Sequence, residues 1–312
     1  MTDRVRASIV TPFLNPGAFL QEAIESVLAQ TCPEWELLLV DDGSTDGSAG
    51  VAARYAAAHP ERIRCFAHPS GGSKGASASR NLGIRHARGE YLAFLDADDV
   101  YLPAKLEEQL PLLDSHRDAA VLYAATQYWH SWTGKVADLD RDWTWRKFGV
   151  ETDTVIDPPR MLVTFLRDGG TVPCMGSVLV RRRAVEAIGG WEESFRRICT
   201  DQVFHAKLCL RFAAVVHDRC WDRYRQHPGS SCQMVAAAGQ SESAFEMYLT
   251  WLEGYLARQG VSDPHVWSAL RSALRPYRHP LLHGLERRAQ QHTRRVARAF
   301  ASAGRRALRR AR

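Results

Sequence analysis

No stretch of this chain is apolar enough to span a bilayer. A spanning helix needs roughly 18 consecutive apolar residues, and residues 119–125 already form one of the longest apolar runs. Cysteine is sparse: seven are scattered over 312 residues, with no C-x-x-C pair. An odd count at irregular spacing argues against a disulfide framework or a structural zinc site and points to reduced thiols. The 22 glycines and 14 prolines are too few for a low-complexity or collagen-like chain. Met1-Thr2-Asp3-Arg4 leads at once into a strand-like segment, so no signal peptide is expected. Integral-membrane and secreted readings are disfavoured, and a cytoplasmic location is the expectation.

What is present describes an ordinary globular protein: 24% charged, 45% hydrophobic, mean hydropathy −0.31. The length suits one large α/β domain or two smaller ones, with a core that needs no staples. The net charge of +6 is unevenly placed. Residues 287–312 hold ten arginines and no acid, and removing those ten leaves 31 basic against 35 acidic residues. The basicity belongs to a tail, so no nucleic-acid partner is expected. In that tail Val296, Phe300, Ala303, Ala307 and Leu308 recur at helical spacing. Either a basic amphipathic helix on an anionic membrane surface or a solvated tail fits the pattern.

The first 125 residues alternate strand and helix signals. Strand character falls at 7–11, 37–40, 63–67, 91–95 and 119–125, and helical periodicity at 19–30, 48–58, 76–87 and 103–115. Such alternation predicts a mainly parallel, Rossmann-like sheet flanked by helices, with ligands outside the carboxyl ends of its strands. The carboxylates cluster at those ends. Asp41 and Asp42 follow one buried run, and Asp96, Asp98 and Asp99 follow another. Three acids in four residues repel one another unless a cation compensates, and oxygen ligands of this kind suit Mg²⁺ or Mn²⁺ shared with a phosphate. The competing reading is that Asp96 or Asp99 caps the helix near Pro103. Trp129 to Phe148 reads as an excursion from the sheet, its tryptophans either an acceptor lid or a small core. Residues 150–230 return to mixed character, and 240–312 read as helical.

Four segments carry a specific likeness: Ser8-Ile9-Val10-Thr11-Pro12-Phe13-Leu14-Asn15, Glu36 through Asp46, Ser79-Arg80-Asn81-Leu82-Gly83-Ile84, and Gly89 through Asp99. In order and spacing they resemble bacterial inverting family 2 glycosyltransferases of the GT-A fold, over roughly residues 5–230. The resemblance implies a GT-A domain at 1–235, with a nucleotide-sugar half (1–125) and an acceptor and catalytic half (126–235). A helical extension (236–312) ends in the basic tail. It implies donor contacts at Thr11, Pro12, Asn15, Asp41, Arg80, Asp96, Ala97 and Asp98. Asp41 would meet the nucleobase, Asp96 the ribose, and Asp98 the Mg²⁺ or Mn²⁺ that bridges the diphosphate. Ser73 stands where the family usually has Asn, and Arg80 has the competing reading of a helix-surface cation.

In the second half, Gly176 through Arg182 and Ile188 through Glu193 resemble the acceptor side of the family. Thr200-Asp201 stands where the family commonly has Glu-Asp, which implies Asp201 as the catalytic base; the competing reading makes it only a helix N-cap. Tyr224-Arg225-Gln226-His227 resembles a further family segment and offers Arg225 and His227 as candidates for a diphosphate contact, or as parts of a structural turn. The implied partners are a nucleotide-diphospho-sugar, with a UDP-sugar expected, and a cell-envelope, polysaccharide or lipid-linked glycan acceptor. A sugar nucleotidyltransferase would need a glycine-rich, arginine-bearing loop where Pro12 to Gly17 stands. The alternative from another class is a non-catalytic, membrane-recruited scaffold that binds nucleotide.

Overall fold

The computed structural model describes residues 4–169 and 171–281, so the arginine-rich tail and the membrane helix expected in it lie outside the described residues. The chain begins β1 (Ala7–Phe13), α1 (Phe19–Leu28), β2 (Trp35–Asp41), α2 (Ser48–Ala58) and β3 (Ile63–Ala67). It continues through α3 (Ala76–His86), β4 (Tyr91–Phe94), β5 (Val100–Tyr101), α4 (Lys105–Ser115) and β6 (Ala119–Trp129). Then come β7 (Trp143–Trp145), β8 (Val155–Ile156), α5 (Arg160–Arg167), β9 (Leu179–Arg181), α6 (Arg182–Ala187), α7 (Thr200–Arg211) and β10 (Ala213–Arg225). Three helices follow: α8 (Ser231–Ala237), α9 (Ser241–Arg258) and α10 (Pro264–Arg278). Among the described residues no helix is long and apolar enough to cross a membrane.

The strands lie in the order β3-β2-β1-β4-β9-β6-β10-β5, with β7 on β6 and β8 on β10. Leu37-Leu38-Leu39-Val40 is apolar at every position because β2 is buried on both faces. Period-2 alternation divides it: Leu37 and Leu39 join the core that includes Leu20, Ile24 and Val27 of α1, while Leu38 and Val40 join the core beneath α3, α5 and α7. Leu249, Leu252 and Leu270 of α9 and α10 enter that second core, so these two helices pack with α5 and α7.

The parallel arrangement holds for β3-β2-β1-β4, but the sheet beyond is mixed. β9 runs antiparallel to both β4 and β6. A three-residue strand that follows a long excursion is too short to carry a sequence signal for its direction. β6 also runs past residue 125, and the excursion folds back on it through the β7 pairing Tyr128↔Trp143 to Thr126↔Trp145.

One register detail positions the site. β1 pairs with β4 only as far as Val10↔Phe94, whereas its pairing with β2 continues to Phe13↔Asp41. The strands therefore part beyond Phe94 and open a crevice at their carboxyl ends, where such sheets bind ligands.

Candidate active site

The chain leaves β4 into Leu95-Asp96-Ala97-Asp98-Asp99, and the period of two continues. Leu95, Ala97 and Asp99 turn inward and are buried, while Asp96 and Asp98 reach the crevice. Asp99 is not a third exposed acid. It accepts the backbone N–H of Arg225 at 2.8 Å, and burial, with Asp98 and Asp96 beside it, drives its carboxyl well above the usual range. The compensation expected from a cation is thus partly internal. Neither Asp96 nor Asp99 caps α4, which starts at Lys105 with Ala104 as N-cap and no side-chain cap bond.

Two neighbouring acids on β2 have opposite tasks for the same geometric reason. Asp41 reaches the crevice, and its Oδ1 accepts the backbone N–H groups of Gly43 (3.1 Å) and Ser44 (2.8 Å). Asn15, with φ +50°, accepts the N–H of Thr45 at 2.7 Å and ties the β1 loop to the β2 loop. Thr11 and Pro12 are buried, so they can offer only backbone to a donor. Asp42, 4% exposed, is the organiser that the motif reading missed. It accepts the Ser73 hydroxyl (2.6 Å), the N–H groups of Lys74 (2.7 Å) and Gly75 (3.0 Å), and the Ser79 hydroxyl (3.0 Å). Ser73 therefore anchors the loop at the position where the family carries Asn.

From the other side, residues 195–196 clamp the same loop. Arg196 donates to the carbonyls of Lys74 and Ser73, its own carbonyl accepts the Ala76 N–H, and Phe195 accepts the Ser77 hydroxyl. Gly75 has φ +96°, and a Cβ there would lie 2.7–2.9 Å from Arg196 Cβ, carbonyl oxygen and Cα. Gly75→Ala is therefore expected to cost about 2 kcal/mol or more through backbone strain and overpacking. A thermal melt lower by several degrees checks this, and an unchanged melt would show that the loop yields freely.

Arg80 is a buried bridge and not a helix-surface cation. It is 3% exposed, donates to Asp96 Oδ1 at 2.6 Å, and lies over the Trp191 ring at 4.2 Å. Its Nη1 is 3.8 Å from Asp201 Oδ1, and neither Nη1 nor Nε has a hydrogen-bond partner among the described residues. Asp201 does not cap α7: the N-cap is Cys199, at φ +55°, and Asp201 follows in the first turn. Its side chain is about a third exposed (32%) and accepts the Thr200 hydroxyl at 3.0 Å. Burial pushes its carboxyl above the usual range, Arg80 pulls it back, and Asp96 adds to the rise. The crevice thus gathers Asp96, Arg80 and Asp201, with Asp98 next to Asp96.

Arg225 is 1% exposed, and its charge is already engaged. Nε donates to the Asp98 carbonyl at 2.7 Å and Nη2 to Glu22 at 2.7 Å, while Phe19, Trp129 and Trp132 surround the guanidinium at 4.5–5.2 Å. It braces the Asp98 loop from behind. His227 stands at the front, with Nε2 2.9 Å from Asp98 Oδ2. The tryptophans divide between roles: Trp129 and Trp132 box Arg225, Trp145 is buried against Phe148, and Trp143, 49% exposed, stacks on Tyr128.

Among the described residues no group of three or more His, Cys, Asp or Glu side chains forms a metal cage. One crevice-facing carboxylate, Asp98, beside His227 fits a cation that keeps its waters and takes the rest of its shell from a substrate phosphate.

A mixed sheet whose parallel strands open onto an outward D-x-D pair, with a further carboxylate across an arginine bridge, is the arrangement of a GT-A glycosyltransferase. The chain belongs to glycosyl transferase family 2, whose family model matches residues 8–188. Asp201 and the 225–227 segment fall beyond that match. The putative glycosyltransferase EpsE of Bacillus subtilis is 32% identical over 212 residues, 68% of each chain. S. aureus TarS 1–349 in complex with UDP-GlcNAc superposes with a TM-score of 0.67 at 20% identity, covering 88% of this chain and 73% of that one. The Pyrobaculum calidifontis mannosyltransferase PcManGT, in complex with GDP-Man and Mn²⁺, gives 0.55 at 16% identity, covering 92% and 80%.

Proposed function

We propose that the chain transfers a sugar from a UDP-sugar to a hydroxyl of a cell-envelope, polysaccharide or lipid-linked glycan, with inversion at the anomeric carbon. The observation that carries this reading is Asp201, a carboxylate about one-third exposed that faces Asp96, the neighbour of Asp98, across Arg80. A direct displacement needs a single base on the acceptor side, away from the leaving group. Asp201 takes the acceptor hydroxyl proton as its oxygen attacks the anomeric carbon and the bond to the diphosphate breaks. Asp41 meets the nucleobase at the rim of β2, and Asp96 the ribose. Backbone at Thr11, Pro12 and Ala97 and the side chain of Asn15 shape the wall. Arg80 keeps Asp201 and Asp96 apart and offers Nη1 to the incoming oxygens. Mg²⁺ or Mn²⁺ held at Asp98 would supply Lewis-acid stabilisation of the departing diphosphate, and His227 stands beside it while Arg225 acts through the loop it braces. The UDP-GlcNAc bound to TarS and the Mn²⁺ with PcManGT support the donor class and the metal.

In this reading residues 1–125 hold the donor, 126–235 the acceptor and base, and 236–312 follow as a C-terminal extension. The arginine-rich end of that extension attaches the cytoplasmic enzyme to an anionic membrane face. The test is transfer from labelled UDP-sugars to glycan and lipid-linked acceptors with Mn²⁺, reading the anomeric configuration of the product by NMR. An α-configured donor should yield a β-linked product, and a retained configuration would overturn the mechanism.

A pH profile adds a second check. Asp201 must be ionised to act, and burial raises its carboxyl, so the acid limb of kcat should lie above the roughly 3.9 of a free aspartate. Arg80→Gln removes the charge that favours the ionised form and should move that limb to still higher pH. A limb that stays put in the variant would exclude Asp201 as the titrating base.

A further inference from the structure

A group of six arginines lies at the opposite end of the sheet from the crevice. Tyr91, at the entry of β4, pairs with Ala7 of β1 on one side and with Arg181, the last residue of β9, on the other. Two adjoining hollows of about 320 and 600 Å³ open there, both lined by Glu90, Arg181 and Arg183. Arg4, Arg88 and Arg182 line the first and Arg117 the second, so six arginines face three carboxylates, Glu90, Asp114 and Glu186.

Those carboxylates are already committed. Glu90 pairs with Arg181 (3.4 Å), Glu186 with Arg182 (3.2 Å), and Asp114 with Arg6 and the Tyr91 hydroxyl. Arg88 shares the single charge of buried Glu36 with Arg64. Arg4, Arg117 and Arg183 are exposed and have no hydrogen bond or ion pair with any described residue. The floor is rigid, because buried Arg181 is fixed by the carbonyls of Ala119 and Leu113 and by the Tyr91 hydroxyl. This surplus stands on a body that, without its tail, carries more acid than base. Seven residues of extended chain separate Tyr91 from Asp98, roughly 20 Å at about 3.3 Å per residue.

We propose that this groove is an anion site separate from the donor crevice, and that it takes a phosphate group, either of a soluble phosphate compound or of an anionic lipid headgroup. Guanidinium forks match phosphate oxygens in paired hydrogen bonds. A multiply charged phosphate balances three free arginines, which a single carboxylate does not.

The test uses the full chain with EDTA present, so that metal-dependent donor binding is silent. Inorganic pyrophosphate is titrated by calorimetry, and co-sedimentation is measured with phosphatidylcholine vesicles with and without phosphatidylglycerol. The groove variant Arg4→Glu/Arg117→Glu/Arg183→Glu is compared with Arg54→Glu/Arg85→Glu/Arg258→Glu, which makes the same charge change at exposed sites elsewhere. Sugar-transfer activity in both variants confirms folding. The groove variant should bind pyrophosphate about tenfold or more weakly, while the control stays near wild type. A matching loss on phosphatidylglycerol vesicles assigns the lipid headgroup, and a loss on pyrophosphate alone assigns a soluble phosphate. Equal losses in the two variants, or no binding of either probe by wild type, overturn the proposal.

Discussion

Asp201→Asn lowers turnover by roughly 10²–10⁴-fold, the usual contribution of a positioned general base, and leaves donor affinity close to that of wild type. Asparagine keeps the shape and the Thr200 hydroxyl contact but cannot take a proton. Donor affinity is spared because the residues assigned to the donor lie on β1, β2, the segments that follow β1 and β4, and α3, whereas Asp201 lies on α7. Stability moves the other way. The folded state raises this carboxyl above its unfolded value, so the native state binds the proton more tightly. Stability is then lost as pH rises through the folded value, and at pH 7 wild type bears a cost that the asparagine variant does not. The variant should melt at the same temperature or slightly higher. Steady-state kinetics, donor titration and a thermal melt separate these effects, and undiminished turnover would remove Asp201 as the base.

Asp42→Ala should be the most damaging single change to the crevice wall. The carboxylate takes hydrogen bonds from Ser73, Lys74, Gly75 and Ser79, and so ties the end of β2 to the loop before α3 and to α3 itself. Its loss strands several donors around a buried site, at a cost on the order of 3–5 kcal/mol. For a chain of this size that is a drop of roughly 10 °C in melting temperature. Ser73, Lys74 and Gly75 then lose one of the two sides that grip them, so Arg196 and the approach to α7 lose their support as well. Asp42→Asn, which keeps one acceptor oxygen, should fall between wild type and alanine. A variant that melts like wild type would contradict the organising role.

The donor half was readable because its strands are buried on both faces and its acids sit at their ends. Leu37 to Val40 and Tyr91 to Phe94 announce themselves as apolar runs, and the D-x-D spacing carries its own geometry through the period of two. The same period explains what the motifs did not disclose. Asp41 and Asp42 look equivalent in sequence, yet one faces the crevice and the other is buried beneath the 73–75 loop. Asp99 looks like a third ligand and is turned inward onto Arg225. Arg80 could be read as a surface cation and Arg225 as part of a turn, and their roles rest on Trp191 and on the box of Phe19, Trp129 and Trp132, contacts from distant parts of the chain. The direction of β9 had no signal, since a three-residue strand reached through a long excursion is too short to show a period.

The most direct test of the donor site is a thermal-shift comparison of wild type and Asp98→Ala with UDP, GDP, CDP and TDP, each with and without Mn²⁺. A nucleotide at about 100 times its dissociation constant adds about 2.7 kcal/mol, a rise of roughly 5–10 °C for a chain of this size. The account predicts that UDP gives this rise in wild type only when Mn²⁺ is present, and that Asp98→Ala abolishes it. A rise that ignores Mn²⁺ or survives in Asp98→Ala, or no rise with any of the four, would contradict it.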